Sequence, residues 1–82
     1  MQTPTTEATI DPPKEQLLRR AEQTIDDYEE ENEWAIELVQ CAKDYTPDLP
    51  LPSVYAAIGT AMWNQGQGGT RKASLMLDLL WS

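Results

Sequence analysis

Leu17, Leu18, Ala21, Ile25 and Tyr28 recur at three- and four-residue intervals, and Ala35, Leu38, Val39 and Ala42 resume the stripe. That spacing is one face of an α-helix. No Gly or Pro interrupts residues 14 to 44, although residues 29 to 33, between the two halves of the stripe, are almost wholly polar. The pattern predicts one long first helix with a polar waist. Two helices kinked near residue 31 are the alternative.

The stretch YTPDLPLP, residues 45 to 52, carries three prolines, at 47, 50 and 52, and cannot continue a helix. It reads as an extended connector. Ser53 then stands as the N-cap of a second helix running to Asn64, with Val54, Ile58, Ala61 and Met62 on one face. Ser53, Ala56, Ala57, Thr60 and Ala61 surround Gly59 with small side chains. Such a surface lets a neighbouring helix approach closely, which is a reason to keep a glycine inside a helix at a cost of about 1 kcal/mol.

After a break at 64 to 69, Thr70 is the expected cap of a third helix through Trp81. Ser74, Asp78 and Ser82 form a narrow polar line at four-residue spacing, and the remaining positions after Lys72 are apolar. A helix so apolar is expected at the centre of a bundle or across a subunit interface. Leu75, Met76, Leu79 and Leu80 make one face, and Leu77 and Trp81 flank it. All six are assigned to self-association, giving a homodimer or higher oligomer.

The resulting expectation is an all-α, three-helix protein with a single helical domain over residues 12 to 82. Residues 1 to 11 are Thr-rich and without apolar pattern, and read as a flexible tail. Asp11 would cap the first helix, with Pro12 and Pro13 in its first turn, where a missing amide donor costs nothing.

Composition narrows the chemistry. One cysteine, Cys41, and no histidine exclude an internal disulfide and argue against a zinc site. Acid–base catalysis near neutral pH also loses its usual residue. No catalytic residue, metal site or cofactor is assigned, and Cys41, among Leu38, Val39 and Ala42, reads as structural. No apolar run approaches the ~18 residues of a membrane span, and the N-terminus lacks the basic start and apolar stretch of a secretory signal. A cytoplasmic protein without membrane contact is expected.

Fourteen acids against six bases give a net charge of −8. Phosphates would be repelled, so direct nucleic-acid binding is disfavoured and a basic protein surface is the expected partner. Eight of the acids fall in residues 22 to 37, with no cation between Arg20 and Lys43. On one continuous helix, Glu22/Asp26, Asp26/Glu30, Asp27/Glu31, Glu29/Glu33 and Glu33/Glu37 would be like-charge neighbours. Together these cost on the order of 1–2 kcal/mol. The bland account is a solvated face. The functional account is a rod of carboxylates ~24 Å long, offered in place of phosphates to a nucleic-acid-binding groove. Asp26, Asp27, Glu29, Glu30, Glu31 and Glu33 would carry its charge, and Tyr28 and Trp34 would anchor it.

The segment WNQGQGGTRKAS, residues 63 to 74, sets two cations at a helix start, an end already partly positive. Gly68, Gly69, Thr70, Arg71 and Lys72 could hold an anion there. A plain turn is the simpler account, and pairing of Arg71 and Lys72 with the protein's own acidic helix is another. The spacing matches neither a P-loop nor a dinucleotide-binding glycine motif.

The leading expectation is a non-enzymatic acidic module, an inhibitor or adaptor that occupies a basic surface of another protein. Phage- and plasmid-encoded regulators share this composition, an analogy and no more. An oligomeric binder of an anionic small ligand or nucleotide at Gly68 to Lys72 is the alternative, and a structural assembly component is the third.

Overall fold

A computed structural model describes Pro12–Trp81, and those residues are all-α. The expected tail over residues 1 to 11, its capping residue Asp11, and Ser82 lie outside the described residues. Four helices follow one another: α1 (Pro13–Asp27), α2 (Glu31–Tyr45), α3 (Leu51–Asn64) and α4 (Thr70–Trp81).

The first helix is therefore not continuous. Tyr28 is extended (φ −113°, ψ 137°), and Glu30 (φ −85°, ψ 129°) opens α2 by accepting from the amides of Glu33 and Trp34. Two electrostatic effects favour the break. Asp26/Glu30, Asp27/Glu31 and Glu29/Glu33 all straddle it, so those like-charge contacts lose their helical spacing. Glu31 and Glu33 also gain the first turn of a helix, where the dipole favours anions.

Burial favours it more strongly. Once the chain reverses, α2 returns antiparallel to α1, as the Arg20–Asp44 and Thr24–Cys41 contacts show. Leu17, Ala21 and Ile25 then share one core with Trp34, Leu38 and Ala42. A straight helix would leave one half of that stripe in water.

The second half of the chain forms a similar hairpin. Tyr55 donates to Asp78 at 2.8 Å, and Gly59 sits against Thr70, so α3 and α4 also run antiparallel. The connector supplies its own helix start: Pro50 precedes the first turn and Pro52 lies within it. Ser53 is thus inside α3 rather than its cap, because proline's fixed φ already suits the first turn.

α2 and α3 each contact the other three helices, with the α1–α3 and α3–α4 contacts the most extensive, whereas α1 and α4 are not neighbours. Val54, Ala57, Ile58, Gly59, Ala61 and Met62 are buried on α3, against Ala73 and Leu77 alone on α4. The expectation that the last helix lies at the centre of the bundle is thereby corrected. Small residues let α3 be approached from several sides, while the bulk of the α4 leucines lets only one of its faces dock.

Leu77, assigned from sequence to self-association, is that docking residue and is fully buried. Asp78 is exposed and accepts from Tyr55 of α3, and Ser74 is half-buried. Leu75, Leu79 and Leu80 take the exposed positions.

Candidate functional site

The acidic residues converge on the α1–α2 corner. Asp26 and Asp27 close α1, Glu29 and Glu30 form the turn, and Glu31 and Glu33 open α2; all six are exposed. The arrangement is a compact knob, not the straight rod expected from sequence. Tyr28 sits within it at 39% exposure.

Trp34 does not. It is 2% exposed and belongs to the core, so it is unavailable as a surface anchor. Its position is three residues after the start of α2, on the inward face with Leu38 and Cys41.

Lys72 reaches this corner from the start of α4. Its Nζ lies 3.2 Å from Glu31 Oε2 and 6.0 Å from the Trp34 ring centre. Among the described residues, Glu31 is the one carboxylate of the six in an ion pair, and Asp27 accepts from Gln23 at 2.8 Å. Both ends of the Lys72–Glu31 pair are about half exposed, so it is worth only a few tenths of a kcal/mol. Its consequence is positional: it joins α4 to the acidic corner.

The glycine-rich segment now has a structural account. Gly66 (φ 72°) follows α3 in the left-handed conformation, with its amide bonded to Trp63 O and that of Gln67 bonded to Met62 O. That pair of bonds is a Schellman cap, which needs glycine. Gly68 (φ 118°) lies directly under the Lys72 side chain, and Gly69 accepts from the Ala73 amide to start α4. Lys72 is engaged by Glu31, and Thr70 is pressed against Gly59. Of the candidate anion ligands, Arg71 keeps an exposed side chain.

Beside the corner, an apolar groove of about 320 Å³ runs between α2 and α4. Lys72, Met76 and Leu80, four apart, line the α4 wall, and Glu31, Asn32 and Ala35 line the α2 wall. Leu75, Leu79 and Leu80 are 58, 80 and 46% exposed, while Met76 and Trp81 are half-buried against the core. Ile36, 60% exposed on α2, and Trp63, 74% exposed at the end of α3, are surface residues the apolar stripes did not single out. Ile36 is off the stripe that resumes at Ala35, a signal legible in the sequence.

Cys41 is buried, its Sγ 3.9 Å from Thr24 Oγ1. Burial raises the thiol pKa, only partly opposed by the Thr24 hydroxyl and the Arg20 charge. The side chain is therefore a poor nucleophile. Among the described residues no three His, Cys, Asp or Glu side chains are placed to hold a metal ion, and no helix is long and apolar enough to cross a membrane. No protein-family model, curated protein or solved structure matches the chain.

Proposed function

We propose that the protein is a non-enzymatic acidic binding module, an inhibitor or adaptor that engages a basic surface of another protein through the α1–α2 corner. The observation that carries this reading is the exposure of Asp26, Asp27, Glu29, Glu30, Glu31 and Glu33 together at one helix reversal. A dense anionic corner on a chain of net charge −8 accelerates encounter with a cationic partner and repels phosphate backbones. Tyr28, the partly exposed aromatic within the corner, supplies a contact that charge alone lacks.

The experiment is affinity capture from the native host, with wild type and a Glu29→Lys/Glu30→Lys/Glu33→Lys variant run side by side at low and high salt. A basic protein retained by wild type, released by salt and lost in the variant is the expected result. Identical capture by both chains reduces the corner to a solvated face.

A further inference from the structure

We infer that the face formed by the α2–α4 groove and its two lips binds a second copy of this chain about a two-fold axis, giving a reversible dimer. The inference is independent of the acidic-corner reading.

The face carries a protrusion and a recess side by side. Leu75 and Leu79 stand on the outer α4 lip at 58 and 80% exposure, next to the recess walled by Ala35, Met76 and Leu80. Ile36, one turn after Asn32 of the α2 wall, stands on the opposite lip at 60% exposure. A two-fold contact needs a patch that complements itself. Here the leucine lip of each copy meets the recess of the other. Leu77, in the core, takes no part, and Ile36 joins Leu75, Leu79 and Leu80 in its place.

The area fits a dimer. At their exposures, Leu75, Leu79, Leu80 and Ile36 present roughly 400 Å² of apolar surface. One side of a standard interface buries about 800 Å², of which about 500 Å² is apolar in homodimers. These four residues supply most of that before Met76 is counted.

Charge does not oppose the contact locally. Glu31 and Lys72 neutralise one another at the groove's end, and the other lining residues are uncharged. Glu33 and Glu37 lie on the side of α2 away from α4. No charge in the groove is left to select a foreign helix, whereas a second copy supplies both halves of the fit. A two-fold axis across α4 lays the paired α4 helices antiparallel, so the two acidic corners come to opposite ends of the contact. The twelve residues of α4 span about 18 Å, about two Debye lengths at physiological salt. What remains is the general repulsion of two chains of net charge −8, which salt screens. Salt therefore strengthens the dimer, opposite in sign to its effect on capture of a basic protein.

The test is sedimentation of the full chain from about 5 to about 500 μM, at about 0.05 and about 0.5 M salt. A reversible dimer is expected, with a micromolar dissociation constant that falls about three-fold or more at the higher salt. Leu79→Asp and, separately, Ile36→Asp are each expected to raise that constant by about ten-fold or more. Both residues are exposed enough for substitution to spare the core, and far-UV circular dichroism checks this. Trp63→Asp, at a residue 74% exposed and outside the groove, is expected to leave the constant unchanged.

A chain still monomeric at about 500 μM overturns the inference and leaves the face to a foreign partner. A dimer that both folded lip variants retain, or that Trp63→Asp disrupts as strongly, places the contact elsewhere and overturns it too. So does a dimer that salt weakens, since charge would then hold it together. None of these results touches the acidic-corner reading, which is decided by the capture experiment.

Discussion

A side chain at Gly59 would fall against the backbone of Thr70, within 2.8 Å of its amide nitrogen and 2.7 Å of its Oγ1. The start of α4 is thus seated on the one α3 residue with no Cβ. Replacement by alanine would gain up to about 1 kcal/mol of helix propensity. It must also push α4 away from α3, and the obstacle is backbone, which cannot rotate aside. Gly59→Ala is expected to destabilise the protein by about 1–3 kcal/mol net, read as a lower denaturation midpoint at unchanged m-value.

Leu77 and Leu79 separate the two faces of α4. Leu77 is fully buried, and Leu77→Ala is expected to cost about 2–5 kcal/mol. Leu79→Ala, at 80% exposure, is expected to stay within about 0.5 kcal/mol of wild type. Urea denaturation of the two variants measures the contrast, and equal losses would mean that α4 docks by a different face.

The turn between α1 and α2 predicts a local pattern of amide exchange. The amides just before Glu33 are the donors that a helix start leaves without an intrahelical acceptor, and Tyr28 to Glu30 is outside either helix. Exchange is expected to be fast over residues 29 to 32 and slow at Ile25 and Leu38. Uniform protection from Leu17 to Ala42 would restore the single long helix.

Glu30 has the extended backbone of a helix cap but makes no side-chain capping bond. Glu30→Asp keeps the charge and brings the carboxylate within reach of the free amides. A gain of about 0.5–1 kcal/mol is expected in thermal or chemical denaturation. The acidic corner keeps its charge, so salt-sensitive partner capture is expected to persist.

The Cys41 thiol gives stability an alkaline dependence. Burial raises its pKa in the folded protein, so the native state holds the proton to higher pH than the unfolded chain does. This contribution is fully present below the ordinary thiol value of 9.0 and is lost as pH rises through the raised folded value. The slope is at most about 1.4 kcal/mol per pH unit for one proton. Tyr55, whose donation to Asp78 raises its pKa, acts with the same sign at higher pH. Denaturation from about pH 8 to 10 is expected to show declining stability, and Cys41→Ala is expected to flatten the curve over the thiol's range.

Local chemistry alone determined much of this molecule. The prolines at 47, 50 and 52 bar a continuous helix and suit a helix start, and the clustered glycines at 66, 68 and 69 suit a helix end, so both later connections were legible to within a residue or two. The stripe from Leu17 to Ala42 announced helix and core together, and the small residues around Gly59 announced a close approach. The acidic residues were equally legible as a group, because an unpaired run of carboxylates stays in water in almost any fold.

Three features were decided only by tertiary structure. The stretch from 14 to 44, which holds no Gly or Pro, reverses at Tyr28 to Glu30 because the returning hairpin buries both halves of the stripe in one core, a gain no local signal encodes. Trp34 turns inward for the same reason, its place in an acidic run notwithstanding. On α4, apolar residues occupy most of the circumference, so periodicity cannot say which face docks. Contact with α3 chose Ala73 and Leu77, and left Leu75 and Leu79 at the surface.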